Sequence, residues 1–160
     1  MAWVMTIDPG VLGGISRCCN GVVSANKMPK TMREISDFFA TAASDPGCER
    51  IVLEQVWSRE TDSKRSATTF MRHVGFLVGC IYSSWPNADD LLIEVPPSKW
   101  QKDLGCPKMS RDKSVKHHLR KSQHKRDLKD MAIRLYPDLP KITLATCDAL
   151  LLMSWCREFS

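Results

Sequence analysis

Three acidic residues, Asp8, Glu54 and Asp148, stand where the surrounding pattern of apolar residues predicts burial. Asp8 and Glu54 close short apolar runs, and strand alternation puts each carboxylate on the same face as residues expected in the core. Asp148 precedes apolar residues three, four and seven positions later, which places it on the core-facing stripe of a helix. Burying an isolated carboxylate is costly unless it is paired or coordinates a metal ion. The pattern therefore indicates chemistry that depends on clustered carboxylates and a divalent cation.

Each of these acids also has a purely structural explanation. A carboxylate at a strand end or in a first helical turn can be satisfied by backbone N–H groups, and Asp148 has that explanation most readily. Clustered carboxylates, by contrast, repel one another and need a cation between them, and hard oxygen ligands select Mg²⁺ or Mn²⁺. The residue pattern alone leaves both interpretations open.

The elements that must position these acids follow from periodicity and turn residues. Strands are expected at about 3–7, 14–19, 22–26, 51–56 and 91–95. Helices are expected from the capping box Thr31–Glu34 to about 44, over 68–84, up to about 136, and from 146 or 147 to about 158. Asn20-Gly21 predicts a hairpin between the second and third strands. A hairpin followed by alternating helices and strands predicts one α/β domain over residues 1–160, with a mixed sheet and helices on its faces.

The positive charge of the chain is concentrated in one segment. The net charge is +5, and residues 108–129 contribute +7 because they hold nine Lys and Arg against two Asp, which leaves −2 for the rest. Acids do not alternate with the bases there, as they would on a salt-bridged helix face. A solvated helix face is the ordinary explanation, but this distribution favours binding of a polyanion.

The seven cysteines are odd in number and scattered, so no disulfide framework is expected and a reducing compartment is favoured. Cys106 with His117, His118 and His124 could form a zinc site, but no Cys-x-x-Cys pair supports it. No apolar stretch is long enough for a membrane span, and no basic leader precedes Asp8. We expect a protein of the phage or bacterial host cytoplasm, with an organelle matrix as the alternative.

Five segments, taken in order, resemble the motifs of RuvC-type Holliday junction resolvases. Three carry the acids, as Asp-Pro-Gly, Leu-Glu-Gln and Asp-Ala-Leu, and two resemble stretches of the phage and organellar branch of that family. The acidic segments are 6–10, 51–56 and 147–151, and the branch segments are 95–102 and 135–139. The resemblance covers nearly the whole chain. It implies an RNase H-like fold with a mixed five-stranded sheet and helices on both faces.

The resemblance further implies that Asp8, Glu54 and Asp148 are catalytic and hold two Mg²⁺ or Mn²⁺ ions about 4 Å apart. The ions would hydrolyse a phosphodiester and leave a 5′-phosphate. Many members carry a fourth acidic or histidine ligand a few residues before the position of Asp148. Residues 143–147 contain neither an acid nor a histidine. The number of ions is therefore open, and a protein of reduced activity is an alternative.

The family also acts as a homodimer on branched DNA, which assigns roles to further residues. Gly75 and Gly79 would permit close approach of a partner helix, with packing against the sheet as an equal alternative. Trp57 follows Glu54 where members place an aromatic that meets bases, although a core tryptophan is the alternative. Ten basic residues are expected to contact phosphates: Lys99, Lys102, Lys108, Arg111, Lys113, Lys116, Arg120, Lys121, Lys125 and Arg126.

Three functions compete on this basis. The first is a Mg²⁺- or Mn²⁺-dependent crossover junction endodeoxyribonuclease of DNA recombination and repair. The second is an RNase H-like nucleic-acid-binding module with weak or no catalysis, which the missing fourth ligand motivates. The third is an RNase H-like nuclease that acts on flaps or RNA.

Overall fold

The computed structural model describes residues 2–57 and 63–160. Its strands are β1 Trp3–Asp8, β2 Gly14–Cys19, β3 Val22–Lys27, β4 Cys48–Glu54 and β5 Leu92–Val95. They form one sheet in the order β3-β2-β1-β4-β5. β2 is antiparallel to both β1 and β3, whereas β4 is parallel to β1 and β5 is parallel to β4. Because β1 and β4 are parallel neighbours, Asp8 and Glu54 end at the same edge of the sheet.

Helices cover both faces of this sheet, as predicted. They are α1 Met32–Ala43, α2 Lys64–Ser84, α3 Ala88–Leu91, α4 Pro97–Asp103, α5 His117–Leu135 and α6 Cys147–Phe159. One core contains Phe39 of α1 and Ile81 of α2, packed with Met5 and other odd-numbered residues of β1. The second core contains Trp100 of α4 and most of α6, packed on the opposite face of the sheet. The alternation of β1 therefore directs Thr6 and Asp8 towards α6.

Local sequence signals explain where several elements begin and turn. Thr31 caps α1 with the expected capping box, because its hydroxyl accepts from the Glu34 N–H while the Glu34 carboxylate accepts from the Thr31 N–H. The β2–β3 hairpin turns at Asn20 and Gly21, whose φ angles of 49° and 80° lie in the left-handed region that this tight turn requires.

Three element predictions were inaccurate. The strand predicted over 51–56 is β4, which begins at Cys48 and ends at Glu54 because it pairs with β1 from its first residue. The helix predicted over 68–84 begins at Lys64, since the Ser63 hydroxyl accepts from the Ser66 N–H and caps it earlier. Helix α4 was treated as a basic connection, although Pro97 at its first position is typical of a helix start.

The basic segment contains a non-helical part followed by a helical part. Residues 108–116 are not helical, and α5 begins at His117 and carries the remaining bases. Among the described residues, none of the helices combines the length and hydrophobicity needed to cross a bilayer.

Candidate active site

The three acids predicted from the sequence meet at the carboxyl edge of β1 and β4. Asp8 ends β1, Glu54 ends β4, and Asp148 lies in the first turn of α6. All three are largely shielded from solvent: Glu54 is 7% exposed, and the side chains of Asp8 and Asp148 are 14% and 13% exposed. Helix α6 is held firmly here, since every residue from Ala149 to Cys156 is buried. The site therefore rests on rigid elements.

A half-buried lysine joins two of the acids. The Lys125 ammonium of α5 forms an ion pair with the Asp148 Oδ2 and lies 3.8 Å from the Asp8 Oδ2. Burial lowers the pKa of Lys125, but the charges of Asp148 and Asp8 outweigh it and hold that pKa above its usual value. The sequence predicted Lys125 as a phosphate contact; the structure places it against the carboxylates.

The pKa of Glu54 is raised further than that of Asp8. Burial, followed by repulsion from Asp8 and Asp148, raises the pKa of Glu54 to about 8. One donor partly offsets this, because the indole Nε1 of Trp100 donates to the Glu54 Oε1 at 3.0 Å. Trp100 is fully buried in α4, so its tightly packed indole holds the Glu54 carboxylate in one orientation. Sequence reasoning missed this contact because α4 was not recognised as a helix.

Asp8 is held by the loop that follows it. The Gly10 N–H donates to the Asp8 Oδ1 at 3.2 Å, and burial together with the charge of Asp148 raises the pKa of Asp8 to about 6. Gly13 lies against the same residue: a Cβ added there would come within 2.2 Å of the Asp8 carbonyl oxygen. Only glycine permits this approach, and the loop from residue 9 to 13 is therefore pinned to Asp8.

The donor set fits a hard divalent cation. Asp8, Glu54 and Asp148 offer carboxylate oxygens only, and the raised pKa values of the first two show a site where negative charge is poorly compensated. Among residues 2–57 and 63–160, however, no group of three His, Cys, Asp or Glu side chains is arranged to hold a metal ion. The ammonium of Lys125 supplies the positive charge between Asp8 and Asp148 instead.

The segment before Asp148 contains two threonines that hydrogen-bond to each other. Thr143 and Thr146 bond to each other through side chains and backbone, and the Cys147 thiol donates to the Asp148 Oδ1 at 3.3 Å. Ala145 packs so closely that its carbonyl oxygen would lie 2.6 Å from a Cβ on Gly14. This segment therefore serves to dock the start of α6 against β2.

Two open grooves are bordered by basic residues: the Asp8 groove and the His124 groove. The Asp8 groove, about 820 Å³, is bordered by Asp8, the following loop, five lysines and residues 142–145; the lysines are Lys27, Lys30, Lys125, Lys129 and Lys141. The His124 groove, about 600 Å³, is bordered by residues that include Lys102, Lys108, Arg111 and Cys106. Cys106 lies within electrostatic reach of Asp148. The Asp8 groove therefore reaches one of the acids directly, whereas none of the three acids borders the His124 groove.

The predicted phosphate contacts are distributed unevenly. Lys102, Lys108 and Arg111 border the His124 groove, and Lys113, Lys116, Lys121 and Arg126 are exposed. Lys99 pairs with Asp103, and the Arg120 Nη1 donates to the Ser110 carbonyl oxygen. The Lys99 ammonium and the Arg120 guanidinium are therefore both engaged in contacts within the protein.

Trp57 is 69% exposed, so it is not a core tryptophan. Its polar neighbours Ser58, Arg59 and Glu60 lie outside the described residues.

Sequence reasoning did not identify four lysines of the Asp8 groove as binding residues. Lys27, Lys30, Lys129 and Lys141 are far apart in the chain and lie mostly outside the basic segment. One signal was available: in the hairpin register, Asp8 pairs with Gly14, and Gly14 pairs with Lys27. The hairpin alone therefore places Lys27 two strands from Asp8 at the same edge.

Comparisons with known proteins identify the fold. No protein-family model matches the chain, and no curated protein matches it either. Two solved structures of Thermus thermophilus RuvC do match. The structure of RuvC in complex with a Holliday junction substrate shares 13% identity, with a TM-score of 0.58 over 99% of this chain and 96% of that chain. A second RuvC structure shares 15% identity, with a TM-score of 0.56 over 97% and 95% of the two chains. This likeness confirms the predicted RNase H-like mixed sheet.

Proposed function

We propose that this chain is a structure-selective DNA endonuclease that resolves four-way or branched junctions by metal-dependent phosphodiester hydrolysis. The observation that carries the proposal is the convergence of Asp8, Glu54 and Asp148 at one sheet edge, where Asp8 borders a groove lined with lysines. The fold is shared with a protein solved on a Holliday junction substrate, which supports the choice of branched DNA. Segments 95–102 and 135–139 support the phage and organellar branch.

The acids would hold Mg²⁺ or Mn²⁺, two ions in the full site. When bound, the ions supply the positive charge that activates a water and stabilises the leaving oxygen. The chain positions this site: Trp100 orients Glu54, the Gly10 N–H orients Asp8, and the buried helix α6 fixes Asp148. Lys125 keeps Asp8 and Asp148 close to each other before any ion is present.

DNA would be held by the predicted basic residues and by Trp57. Lys102, Lys108 and Arg111 line the His124 groove, which suits contacts to phosphates on that side of the acids. The exposed indole of Trp57 follows Glu54 by three residues and is available to stack on a base at the junction centre.

We also propose a homodimer, with α2 as the contact helix. Leu77, Cys80 and Ile81 bury one side of α2 against the sheet, whereas Gly75 and Gly79 are exposed on another. A Cβ at either glycine would meet no atom of this chain within 4 Å. A partner helix could therefore approach the backbone closely at this face. Two copies would present two carboxylate sites, as symmetric cutting of two strands requires.

The proposal is tested by substituting the acids with their amides. Asp8→Asn and Glu54→Gln should reduce the cleavage rate of a labelled four-way junction by at least about 100-fold in Mg²⁺ or Mn²⁺, while junction affinity changes little. Glu94→Gln is the matched control, because Glu94 is an exposed acid on β5 that pairs in register with Leu53 beside Glu54. If either amide variant cuts junctions at the parent rate, the assignment of the site is wrong.

A second candidate function, a binding module without efficient chemistry, is favoured by the ion pairs of Lys125 and by the absence of an acid in residues 143–147. The parent protein should be incubated with a four-way junction, a flap and an RNA–DNA hybrid, each with either ion. Tight junction binding with no product under either ion would support the module. Preferential cleavage of the flap or the hybrid would support a different RNase H-like nuclease.

A further inference from the structure

The Asp8 groove contains four lysines that the proposed contacts do not use: Lys27, Lys30, Lys129 and Lys141. Its lining contains five lysines against a single acid, Asp8, a net of +4. The lysines come from four separate places: the end of β3, the link to α1, helix α5 and the segment before α6. Charges brought together from such distant parts of the chain are not the face of one solvated helix.

Most of this charge is available to a ligand. No carboxylate oxygen of the described residues lies within 4 Å of the ammonium groups of Lys27, Lys129 or Lys141. Lysines without internal partners are neutralised by solution counterions, and a polyanion that replaces those counterions gains free energy from their release. The groove is thus complementary to a chain of phosphates, and it leads directly to Asp8.

Apolar side chains in the same groove narrow the choice of ligand. Leu12, at the tip of the β1–β2 loop, is 87% exposed, and Val11 and Leu144 are also exposed at the groove. The close approach of Gly13 to Asp8 fixes the base of this loop, so Leu12 projects from a defined position. Phosphates of a paired duplex offer nothing to an exposed leucine, whereas an unstacked base offers an apolar face, and leucine is among the side chains that insert at base steps.

We propose that the Asp8 groove binds an unpaired DNA strand next to the cleavage site, with phosphates on its lysines and a base against Leu12. This inference rests on the proposed function, because the strand is taken to belong to the branched DNA whose phosphodiester reaches the acids. The groove then supplies contacts next to Asp8 in addition to those assigned to the His124 groove.

The lysine contacts are tested by the salt dependence of binding. Affinity for a four-way junction is measured by fluorescence anisotropy over a series of KCl concentrations, with EDTA present so that no strand is cut. Lys27→Gln and Lys141→Gln should each make the log–log slope less negative by about 0.7, the value for one phosphate of a single strand. Arg50→Gln is the control: Arg50 lies on the amino half of β4 and donates to Ser160, at the end of α6 opposite to Asp148.

The apolar contact is tested by Leu12→Ala, with Val22→Ala as the matched control. Val22 is an exposed aliphatic residue at the other end of the hairpin, where β3 begins opposite Cys19. Leu12→Ala should weaken binding about five-fold on junctions with unpaired nucleotides at the branch point, and leave binding to a fully paired duplex unchanged. Val22→Ala should change neither.

The outcomes separate the two proposals. If the parent binds junctions but Lys27→Gln, Lys141→Gln and Leu12→Ala all match it, the groove inference is wrong and the proposed function stands. If Leu12→Ala weakens duplex and junction equally, the groove does not select an unpaired strand, which also overturns the inference. If the parent binds no DNA, the proposed function itself is wrong.

Discussion

At the scale of residues, the site shows carboxylates held in an unfavourable electrostatic environment. Asp8 and Glu54 are buried close to Asp148, and their pKa values rise to about 6 and about 8. One ammonium and one indole N–H offset part of that repulsion. Such an arrangement costs stability in the absence of a bound cation, and a cation that binds there recovers it.

The first prediction at this scale concerns pH. Folded Glu54 binds its proton up to about pH 8, whereas a carboxyl group with the ordinary pKa of 4.5 has lost it. Between those values the folded state binds more protons than the unfolded state, so the free energy of unfolding of the metal-free protein should fall as pH rises. Glu54→Gln should abolish most of this decline and be more stable than the parent at pH 8.5, by about 1–3 kcal/mol.

Urea denaturation in EDTA at pH 5.5 and pH 8.5 measures this difference. Glu94→Gln, at an exposed acid, should retain the decline of the parent. An equal decline in the parent and in Glu54→Gln would show that Glu54 does not carry the effect.

The second residue-scale prediction concerns Lys125. Lys125→Met removes the positive charge between Asp8 and Asp148, so the free energy of unfolding of the metal-free protein should fall by about 1–3 kcal/mol at pH 8.5. The loss is smaller than for a fully buried ion pair because the Lys125 side chain is partly exposed. Affinity for Mn²⁺ should rise about ten-fold, because the ammonium no longer repels the ion. Calorimetric titration measures the affinity. Arg134→Met, at an exposed position in the last turn of α5, is the control. Weaker Mn²⁺ binding in Lys125→Met would contradict this role.

At the scale of elements, α4 links the second core to the chemistry. It is a seven-residue helix whose one fully buried side chain, Trp100, reaches Glu54. A second tryptophan in the same core, Trp155 of α6, donates its Nε1 to Asp103 at the end of α4, away from the acids. The two indoles therefore make the same kind of hydrogen bond at different positions. Comparing substitutions of the two separates the effect of core packing from the effect of the hydrogen bond to Glu54.

Trp100→Phe should raise the pKa of Glu54 further, because the indole hydrogen bond lowers it in the parent. Metal binding and cleavage should then require a higher pH. Above about pH 8, where Glu54 is ionised, the protein should also lose about 1–3 kcal/mol from the missing hydrogen bond to a charged group. The measurement is the pH midpoint of Mn²⁺ binding. Trp155→Phe should lose comparable stability without moving that midpoint; a shift in both variants would indicate a general packing effect.

The elements also show what the sequence could predict and why. Strands, hairpin and capped helix α1 followed from local signals, since turn residues and alternation act over a few positions. Helix α4 was missed because Pro96-Pro97 was taken only as a strand end. The pairing of Lys125 with Asp8 could not be predicted, because it joins residues 117 positions apart whose contact depends on how α5 packs. The acids were identified because burial of a carboxylate is unusual enough to show in the pattern.

At the scale of the whole molecule, the charges and the open helix face define how copies and DNA would assemble. The acids and the Asp8 groove lie at the end of the sheet where β1 and β4 finish, whereas the glycine face of α2 belongs to the helical layer on the face of the sheet opposite to α6. A dimer formed through α2 would therefore leave both carboxylate sites open to DNA.

The dimer is tested by Gly79→Arg. Arginine favours helix over glycine by about 0.8–1 kcal/mol, and a side chain at this position meets open space within the chain, so the fold should be kept or stabilised. The parent should have the mass of two chains in light scattering, and Gly79→Arg the mass of one. Ser36→Arg, on the exposed side of α1, should remain a dimer. A monomeric parent would exclude α2 as a stable interface.

The burial of α6 has a consequence for the synthesis of the protein. Asp148 reaches Asp8 and Glu54 only when α6 packs into the centre of the second core, and α6 follows all five strands of the sheet along the chain. A ribosome-bound chain that has released β1 and β4 already contains two of the acids, but the third cannot join them until residues 147–159 have left the exit tunnel. Any activity of the cluster therefore begins with the docking of α6, after every strand of the sheet has been synthesised.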